Sequence, residues 1–215
     1  MNQLCILCAC SIFLFSCGNS NSSFTDTRDG EIYKTVQIGN QIWMAENLRF
    51  DSPNSMEGDK ASPQNGRFYT WEEAQKIVPD GWHLPSGEEW DVLGKQLGMS
   101  ECDLNPNCTR KGQDGHVGEK LKSTSGWGDG NGIDKYEFNA LPVGFYHFEK
   151  NQVKFNGEMA PFWSTSESSY TSQENGEQVR IVKGRGVALH GYGPMITIRK
   201  TFDKMDKLPI RCIKD

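Results

Sequence analysis

Alternating apolar and polar residues mark the start of the folded part of the chain. Residues 31–38 (Glu-Ile-Tyr-Lys-Thr-Val-Gln-Ile) and 41–44 (Gln-Ile-Trp-Met) are rich in the β-branched and aromatic residues typical of strands. The Gly39-Asn40 pair between them suits a tight turn, because glycine adopts positive φ without steric cost. The pattern therefore predicts a β-hairpin over residues 31–44.

Two Thr/Ser-x-x-Glu sequences predict the starts of two short helices. Residues 70–73 (Thr-Trp-Glu-Glu) form the first capping box, and its helix is expected to run to about Val78. Residues 86–89 (Ser-Gly-Glu-Glu) form the second capping box. The second helix is expected to end at Gly98 and to present one apolar face, formed by Trp90, Leu93 and Leu97.

The second half of the chain is typical of strands. Short β-rich segments separated by turn residues predict strands at residues 140–148, 152–155, 161–166, 178–183 and 208–214. Residues 184–207 carry mixed charges, especially at 199–207, which indicates a solvated loop. Because the helices come early and the antiparallel strands come late, the pattern predicts an α+β domain.

A short apolar segment precedes this domain. Residues 4–15 are apolar apart from Ser11, and as a helix they would rise about 18 Å, too little to cross a hydrocarbon core of about 30 Å. The Leu-Phe-Ser-Cys sequence at 14–17 resembles a bacterial lipobox, in which Cys17 is diacylated after cleavage. We therefore predict a lipoprotein signal peptide at 1–16, a polar tether at 17–30 and one domain at 31–215. A plain secretory signal and a buried strand are the alternatives for the apolar segment.

Composition narrows the class of partner. The 215 residues include 23 Lys and Arg against 28 Asp and Glu, a net charge of -5. No basic excess is therefore present to neutralise nucleic-acid phosphates, and a nucleic-acid partner is not expected. An aromatic content of 11% combined with a mean hydropathy of -0.63 indicates a compact, loop-rich domain outside the cytoplasm.

Of the seven cysteines, Cys102, Cys108 and Cys212 lie beyond Cys17. Cys102 and Cys108 bracket Asp-Leu-Asn-Pro-Asn, a segment of turn formers that could bring them within disulfide range in an oxidising compartment. We favour a Cys102–Cys108 bridge over two free thiols. A zinc site is the weaker alternative, because the four histidines show no ligand spacing relative to these cysteines. Cys212 is expected as a buried thiol in a terminal strand.

One glycine-rich loop carries candidate metal ligands. Asp129, Asn131, Asp134 and Glu137, with backbone carbonyls, could supply the six to eight oxygens that calcium takes. Their spacing is not that of an EF-hand. The competing interpretation is that Asp, Asn and Gly build turns here. Calcium is therefore the one candidate cofactor.

No catalytic group stands out in the sequence. His83 is the only histidine within a motif, and no Ser, Cys or carboxylate partner is recognisable at a telling position. We interpret His83 as a core or capping residue. No enzymatic activity is expected.

Several motifs, in order across residues 31–215, resemble the Fibrobacter succinogenes major paralogous domain. They include Gly-Trp-His-Leu-Pro-Ser at 81–86 and Phe-Trp-Ser-Thr at 162–165, with others at 33–48, 66–71, 89–90, 120–127, 138–142 and 210–215. The resemblance implies a C-type-lectin-like fold, in which a twisted antiparallel sheet core has two short flanking helices and long loops. It also implies an outer-membrane lipoprotein of Bacteroidota-type bacteria, facing the periplasm or the cell surface, and it implies no reaction.

In many members of that family a cysteine stands at the position of Val78. That cysteine is the natural partner of the one at Cys212, so the resemblance implies a bridge that this chain cannot form. Cys212 is then left as an unpaired thiol.

The leading hypothesis is a binding or adhesion module of the cell envelope, held to the membrane by its lipid anchor and recognising a glycan. The alternative is a structural or protein-interaction subunit of an envelope assembly. A glycan site predicts exposed Tyr or Trp near residues 129–137 or Tyr192, whereas a protein interface predicts a larger apolar patch. The six tryptophans, which lie in or beside the family motifs, are expected to pack in the core.

Overall fold

The structure is a computed structural model that describes residues 22–58, 63–105 and 116–215. Within these ranges the chain forms mostly antiparallel sheets with a few short helices. The predicted α+β class is therefore confirmed. No helix in the same ranges is long and apolar enough to cross a membrane.

A five-stranded antiparallel sheet joins the two ends of the domain. Its strand order is β1-β2-β3-β12-β6, with bounds Ser22–Thr25 (β1), Ile32–Ile38 (β2), Gln41–Met44 (β3), Ile213–Lys214 (β12) and Trp82–His83 (β6). The predicted first hairpin is confirmed, because β2 and β3 pair around the Gly39-Asn40 turn with Ile38 opposite Gln41. The last strand of the chain lies between β3 and β6, so the C-terminal residues complete the sheet.

Strand β1 extends the folded domain beyond the predicted boundary. Phe24 stacks on Trp82 with ring centroids 4.4 Å apart. Arg28 then donates a 2.7 Å hydrogen bond to the Ile77 carbonyl. Residues 22–30, assigned above to the tether, therefore belong to the domain, since Phe24 and Arg28 find partners that lie far away in sequence.

The helices begin at the predicted capping residues. Thr70 and Ser86 each accept a backbone N–H, and Ser86 with Glu89 forms a reciprocal capping box. The second helix ends at Gly98, where φ is 101°. It buries the predicted face, formed by Trp90, Leu93 and Leu97. The helices span Trp71–Ala74 (α1), Gly87–Leu97 (α2), Glu101–Leu104 (α3) and Val117–Leu121 (α4), with a 3-10 helix at Pro63–Asn65.

A second antiparallel sheet is built from three longer strands in the order β11-β10-β9. These strands span Met159–Glu174 (β9), Glu177–His190 (β10) and Ile196–Phe202 (β11). Two small hairpins pair Met56–Glu57 (β4) with Arg67–Phe68 (β5), and Phe145–His147 (β7) with Gln152–Lys154 (β8). Strand β11 covers β10 only from Gly184 onwards, so residues 168–183 form a two-stranded ribbon.

The prediction of a solvated loop at residues 184–207 was wrong. Its first part completes β10, and residues 196–202 form β11 with three buried apolar side chains, Ile196, Ile198 and Phe202. Arg199, which suggested solvation, forms an ion pair with Asp91 and donates to the Leu104 carbonyl. The mixed charges were misleading because Arg199 finds partners in other elements.

Two clusters of buried side chains form the core. In the first, Trp43, Trp90, Phe138 and Phe162 contact one another as aromatic pairs. The second contains Cys212, which is free and buried as predicted, with Val78 packed against the same cluster. Burial raises the pKa of the Cys212 thiol, so the thiol remains protonated.

Candidate ligand-binding site

The predicted modification sites cannot all be located in the structure. Cys17 and Cys108 lie outside the described residues, whereas Cys102 lies in α3. Lipidation of Cys17 and a Cys102–Cys108 bridge therefore stay predictions.

The four predicted calcium ligands are divided between two clefts. Asp129 and Asn131 line one cleft, beside the turn between β10 and β11. Asp134 and Glu137 line another, which Glu46 also lines. In the described ranges, no group of three or more His, Cys, Asp or Glu side chains is placed to hold a metal ion. The structure thus brings the predicted ligands together only in pairs.

Two of these side chains bind the backbone of their own loop. Asn131 Oδ1 accepts the Trp127 N–H at 3.2 Å, and Asp134 Oδ1 accepts the Asn139 N–H at 2.7 Å. Asp and Asn build turns through bonds of this kind. Calcium would have to share these oxygens with the backbone, and calcium binding stays a prediction.

A buried ammonium group lines the cleft of Asp129 and Asn131. Lys122 is 1% exposed, and its Nζ donates to the carbonyl oxygens of His190 and Gly193, each at 3.2 Å. It also lies 4.7 Å from the centroid of the Trp127 ring. Burial lowers the pKa of Lys122. The ammonium therefore ties the turn between β10 and β11 to the glycine-rich loop.

The tryptophans are not placed to stack on a ligand. All six are buried, with exposed fractions of 9% or less. The indole N–H groups of Trp71 and Trp163 donate to the carbonyls of Ser164 and Tyr69 at 2.9 and 2.7 Å. The predicted core role of the tryptophans is confirmed, so aromatic surface for a ligand has to come from Phe and Tyr.

An open cleft of about 360 Å³ is formed where the β7–β8 hairpin meets the second sheet. Its aromatic lining consists of Phe145, Phe148, Phe155, Tyr170 and Phe202. Its polar lining consists of His147, Glu149, Lys183, Lys200, Thr201, Asp203 and Asp206. We call this feature the aromatic cleft. A concave surface with apolar walls and a few polar groups is typical of a small-molecule site.

Half-exposed rings and stacked rings together make the apolar part of the aromatic cleft. Phe145 stacks on His147 and on Phe155, with centroids 6.1 and 6.0 Å apart, and Phe202 meets Phe145 edge-on at 5.2 Å. Three rings remain about half exposed, namely Phe148 at 49%, Phe155 at 48% and Tyr170 at 53%. Grouped exposed rings of this size mark an interaction site more often than single ones do.

The charged groups of the aromatic cleft are held in place by hydrogen bonds. Lys183 Nζ lies 2.5 Å from Asp203 Oδ2, and this bond lowers the pKa of Asp203. The buried Asp206 accepts the N–H groups of Phe148 and Asp203 at 3.0 and 3.3 Å. Burial raises the pKa of Asp206. His147 Nδ1 lies 3.8 Å from Asp206 Oδ1, which is beyond hydrogen-bond distance.

Sequence reasoning expected exposed aromatic residues elsewhere. Tyr192 is indeed 66% exposed. The aromatic cleft was missed because its residues come from four strands and from the segments that follow β7, β8 and β11. Tyr170 carries one signal, since it is the only aromatic residue in the Ser/Thr-rich stretch 164–173. Phe148 and Phe155 gave no signal, because a strand pattern does not tell which residues face a neighbouring sheet.

A separate polar cluster surrounds His83. Its Nδ1 lies 2.6 Å from Asp215 Oδ1, and its Nε2 lies 2.7 Å from Glu89 Oε1. Asp215 reaches His83 only because β12 pairs with β6, which explains why this carboxylate partner was not recognisable in the sequence. Since both ring nitrogens are hydrogen-bonded to carboxylates, we infer that His83 connects the C-terminus to helix α2.

The hydrogen bonds of His83 make the stability of the domain depend on pH. Burial opposes the imidazolium, but the bonds to Glu89 and Asp215 outweigh it and raise the pKa of His83. Burial also opposes the Glu89 carboxylate, but the Ser86 N–H and His83 outweigh it and lower the pKa of Glu89. The His83 contribution is therefore complete below about pH 6.5 and lost as pH rises, whereas the Glu89 contribution is complete above about pH 4.3 and lost as pH falls.

We expect His83→Gln to destabilise the domain more at about pH 5.5 than at about pH 8.5, because the imidazolium is present only at the lower value. Urea unfolding of both forms across this range, followed by tryptophan fluorescence, measures the difference. An equal loss of unfolding free energy at both pH values would contradict the assignment.

Comparison with protein families shows that the family model of the Fibrobacter succinogenes major domain matches residues 36–214 of the chain. No curated protein and no solved structure matches the chain.

Proposed function

We infer a function from the premise that the chain belongs to the Fibrobacter succinogenes major domain family. We propose that it is a non-catalytic binding module of the cell envelope and that it recognises a glycan. The observation that carries this proposal is the aromatic cleft, where half-exposed rings lie beside hydrogen-bonded charges. A sugar ring has an apolar face and a polar rim, so a site for it needs both kinds of surface. The aromatic cleft offers both.

The lack of catalytic activity is part of the proposal. Both nitrogens of His83 are bound to carboxylates, so this histidine is not free to take a proton from a nucleophile. In the aromatic cleft, Lys183 and Asp203 neutralise each other, and Asp206 accepts two backbone N–H groups. These groups are placed for binding and for holding the fold.

The proposal also includes the fold and the cellular location that the family resemblance implies. A C-type-lectin-like arrangement is supported by the antiparallel sheets, the flanking helices α1 and α2 and the long connecting segments. A lipid anchor at Cys17 is supported by the Leu-Phe-Ser-Cys sequence at the end of the apolar segment. Two acyl chains would hold the module stably on the outer membrane, facing the periplasm or the cell surface.

We expect Tyr170→Ala to weaken glycan binding about tenfold, because loss of one stacked ring costs about 1.4 kcal/mol. The test uses residues 18–215, a soluble form that contains every described residue. A glycan array, run with calcium and with chelator, identifies the glycans bound, and titration calorimetry then gives the affinities. The difference in binding between calcium and chelator also tests the predicted calcium site of Asp129, Asn131, Asp134 and Glu137.

Tyr192→Ala is the matched control, because Tyr192 is even more exposed but does not line the aromatic cleft. Unchanged binding in this control, with a loss in Tyr170→Ala, places the site in the aromatic cleft. The reverse result moves the site to the turn between β10 and β11, beside Asp129 and Asn131. Absence of glycan binding under both calcium conditions overturns the proposal.

The alternative, a structural or protein-interaction subunit, is favoured by a different observation. At residues 168–183 neither β9 nor β10 has a further strand partner in the described part of the chain. Exposed strand edges of this kind pair with other chains. A photo-crosslinking group at Thr171, on the outer half of β9, would report such a partner in intact envelopes, with Tyr192 as the control position.

A further inference from the structure

We infer that the aromatic cleft takes an uncharged saccharide and excludes anionic glycans. This inference rests on the proposed function and names the chemical class of its ligand. The observation that carries it is the pairing of charges among the cleft residues. The side chains that could attract an anion are already bound to carboxylates or balanced by them.

Lys183 is the central cation of the aromatic cleft. Its ammonium lies 2.5 Å from Asp203, so the two charges compensate each other. Lysine has three N–H donors, and the bond to Asp203 leaves others for a sugar hydroxyl. Asp203 offers acceptor oxygens beside them. A donor and an acceptor held side by side suit two neighbouring hydroxyl groups of one ring, and neither requires a charged ligand.

The remaining lining adds no net positive charge. Glu149 and Lys200 contribute one charge of each sign, and Asp206 contributes a carboxylate that is buried at 5% exposure. Apart from His147, the lining therefore holds three carboxylates against two ammonium groups. The whole chain has a net charge of -5. Sulfated, sialylated or uronic acid glycans meet an unfavourable potential both at the cleft and on approach.

The apolar walls supply the surface that an uncharged ring needs. Tyr170 on β9 and Phe155 after β8 line the same cleft and are each about half exposed. Burying such rings against the C–H face of a sugar removes apolar surface from water. Binding of this kind depends little on ionic strength, because no net charge is neutralised.

The test compares uncharged and anionic probes on the soluble form of residues 18–215. The uncharged probes are cello-, manno-, xylo- and galacto-oligosaccharides, and the anionic probes are heparin, polygalacturonate and sialyllactose. We expect binding to at least one uncharged series, with an affinity that changes less than about twofold between low and physiological salt. Tighter binding of an anionic probe overturns the inference and leaves the proposed function standing. If none of the probes binds, both the inference and the proposed function are overturned.

A charge-neutralising substitution tests the role of the Lys183–Asp203 pair directly. Asp203→Asn keeps the oxygen that accepts the Met205 N–H but leaves the Lys183 ammonium without its counter-charge. We expect heparin binding to increase about tenfold in this variant and to fall again at high salt. The matched control is Asp80→Asn, which changes the net charge by the same amount at an exposed position that lines neither the aromatic cleft nor the cleft of Asp129 and Asn131.

Lys183→Gln provides the second variant. It removes the ammonium and keeps two of the three N–H donors on a shorter side chain. Uncharged glycans should therefore bind more weakly, and heparin should not bind better. The melting temperature of each variant shows whether it folds. Equal heparin affinity in Asp203→Asn and Asp80→Asn, with both folded, contradicts the assigned role of the pair.

Discussion

Arg211→Ala is expected to lower the free energy of unfolding by about 3–5 kcal/mol, because it empties a buried site and removes three hydrogen bonds at once. Arg211 is 1% exposed. Its Nε donates to Asn47 Oδ1 at 2.8 Å, and its two terminal nitrogens donate to the carbonyls of Phe138 and Asn139. After truncation the acceptor oxygens of Asn47 and Phe138 would remain buried without their donors.

The guanidinium also packs between aromatic rings. Its central carbon lies 4.5 Å from the centroid of Phe138 and 5.3 Å from that of Phe162. These rings belong to the first core cluster. Arg211 therefore links the last segment of the chain to the loop after β3 and to the segment before β7, and its loss should weaken all three together.

Urea unfolding followed by tryptophan fluorescence measures the effect, since all six indoles are buried. Lys214→Ala is the control, because Lys214 is a basic residue on β12 that is exposed. We expect it to change the unfolding free energy by less than about 0.5 kcal/mol. Arg211→Lys separates charge from geometry, since lysine keeps the charge but not the planar donors. A loss of less than about 1 kcal/mol in Arg211→Ala would contradict a role in holding the fold.

Local signals in the sequence were sufficient for the elements that are stabilised locally. The first hairpin follows from Gly39-Asn40, and both helix starts follow from the side-chain caps Thr70 and Ser86. Strand β1 and strand β11 could not be predicted in this way. Phe24 is ordered by Trp82, and Arg199 by Asp91, and neither partner is near in sequence.

The candidate site was harder to predict for the same reason. Sequence reasoning searched one continuous loop for ligands, and the structure divides Asp129 and Asn131 from Asp134 and Glu137. The aromatic cleft instead joins Tyr170 to distant residues of β7, β10 and β11. Strand order and register decide such a site, and the apolar pattern of a single strand specifies neither.

The second large effect is expected at Gly144, where alanine should cost about 2–4 kcal/mol of unfolding free energy. Gly144 has φ +66°, a conformation that L side chains rarely adopt. An added Cβ would also collide with the Lys154 carbonyl oxygen and with the backbone of Phe155 and Asn156. These atoms belong to backbone, so the β7–β8 hairpin itself would have to open.

Gly176→Ala separates the two causes. Gly176 has a similar φ of +86°, but no atom lies within 4 Å of the added Cβ. It should therefore cost only the conformational strain, about 1 kcal/mol. The difference between the two variants measures the collision at the hairpin. Equal losses in the two variants would show that the hairpin accommodates the methyl group.

The Gly144→Ala variant also connects the fold with the proposed function. Phe145 follows Gly144 directly and stacks on Phe155, which follows the last residue of β8. A displaced hairpin would therefore separate two walls of the aromatic cleft. Glycan affinity should then fall under conditions where the variant is still folded, whereas Gly176→Ala should leave it unchanged because Gly176 does not line the cleft. If the folded Gly144→Ala variant bound glycan with unchanged affinity, the hairpin would not form part of the site.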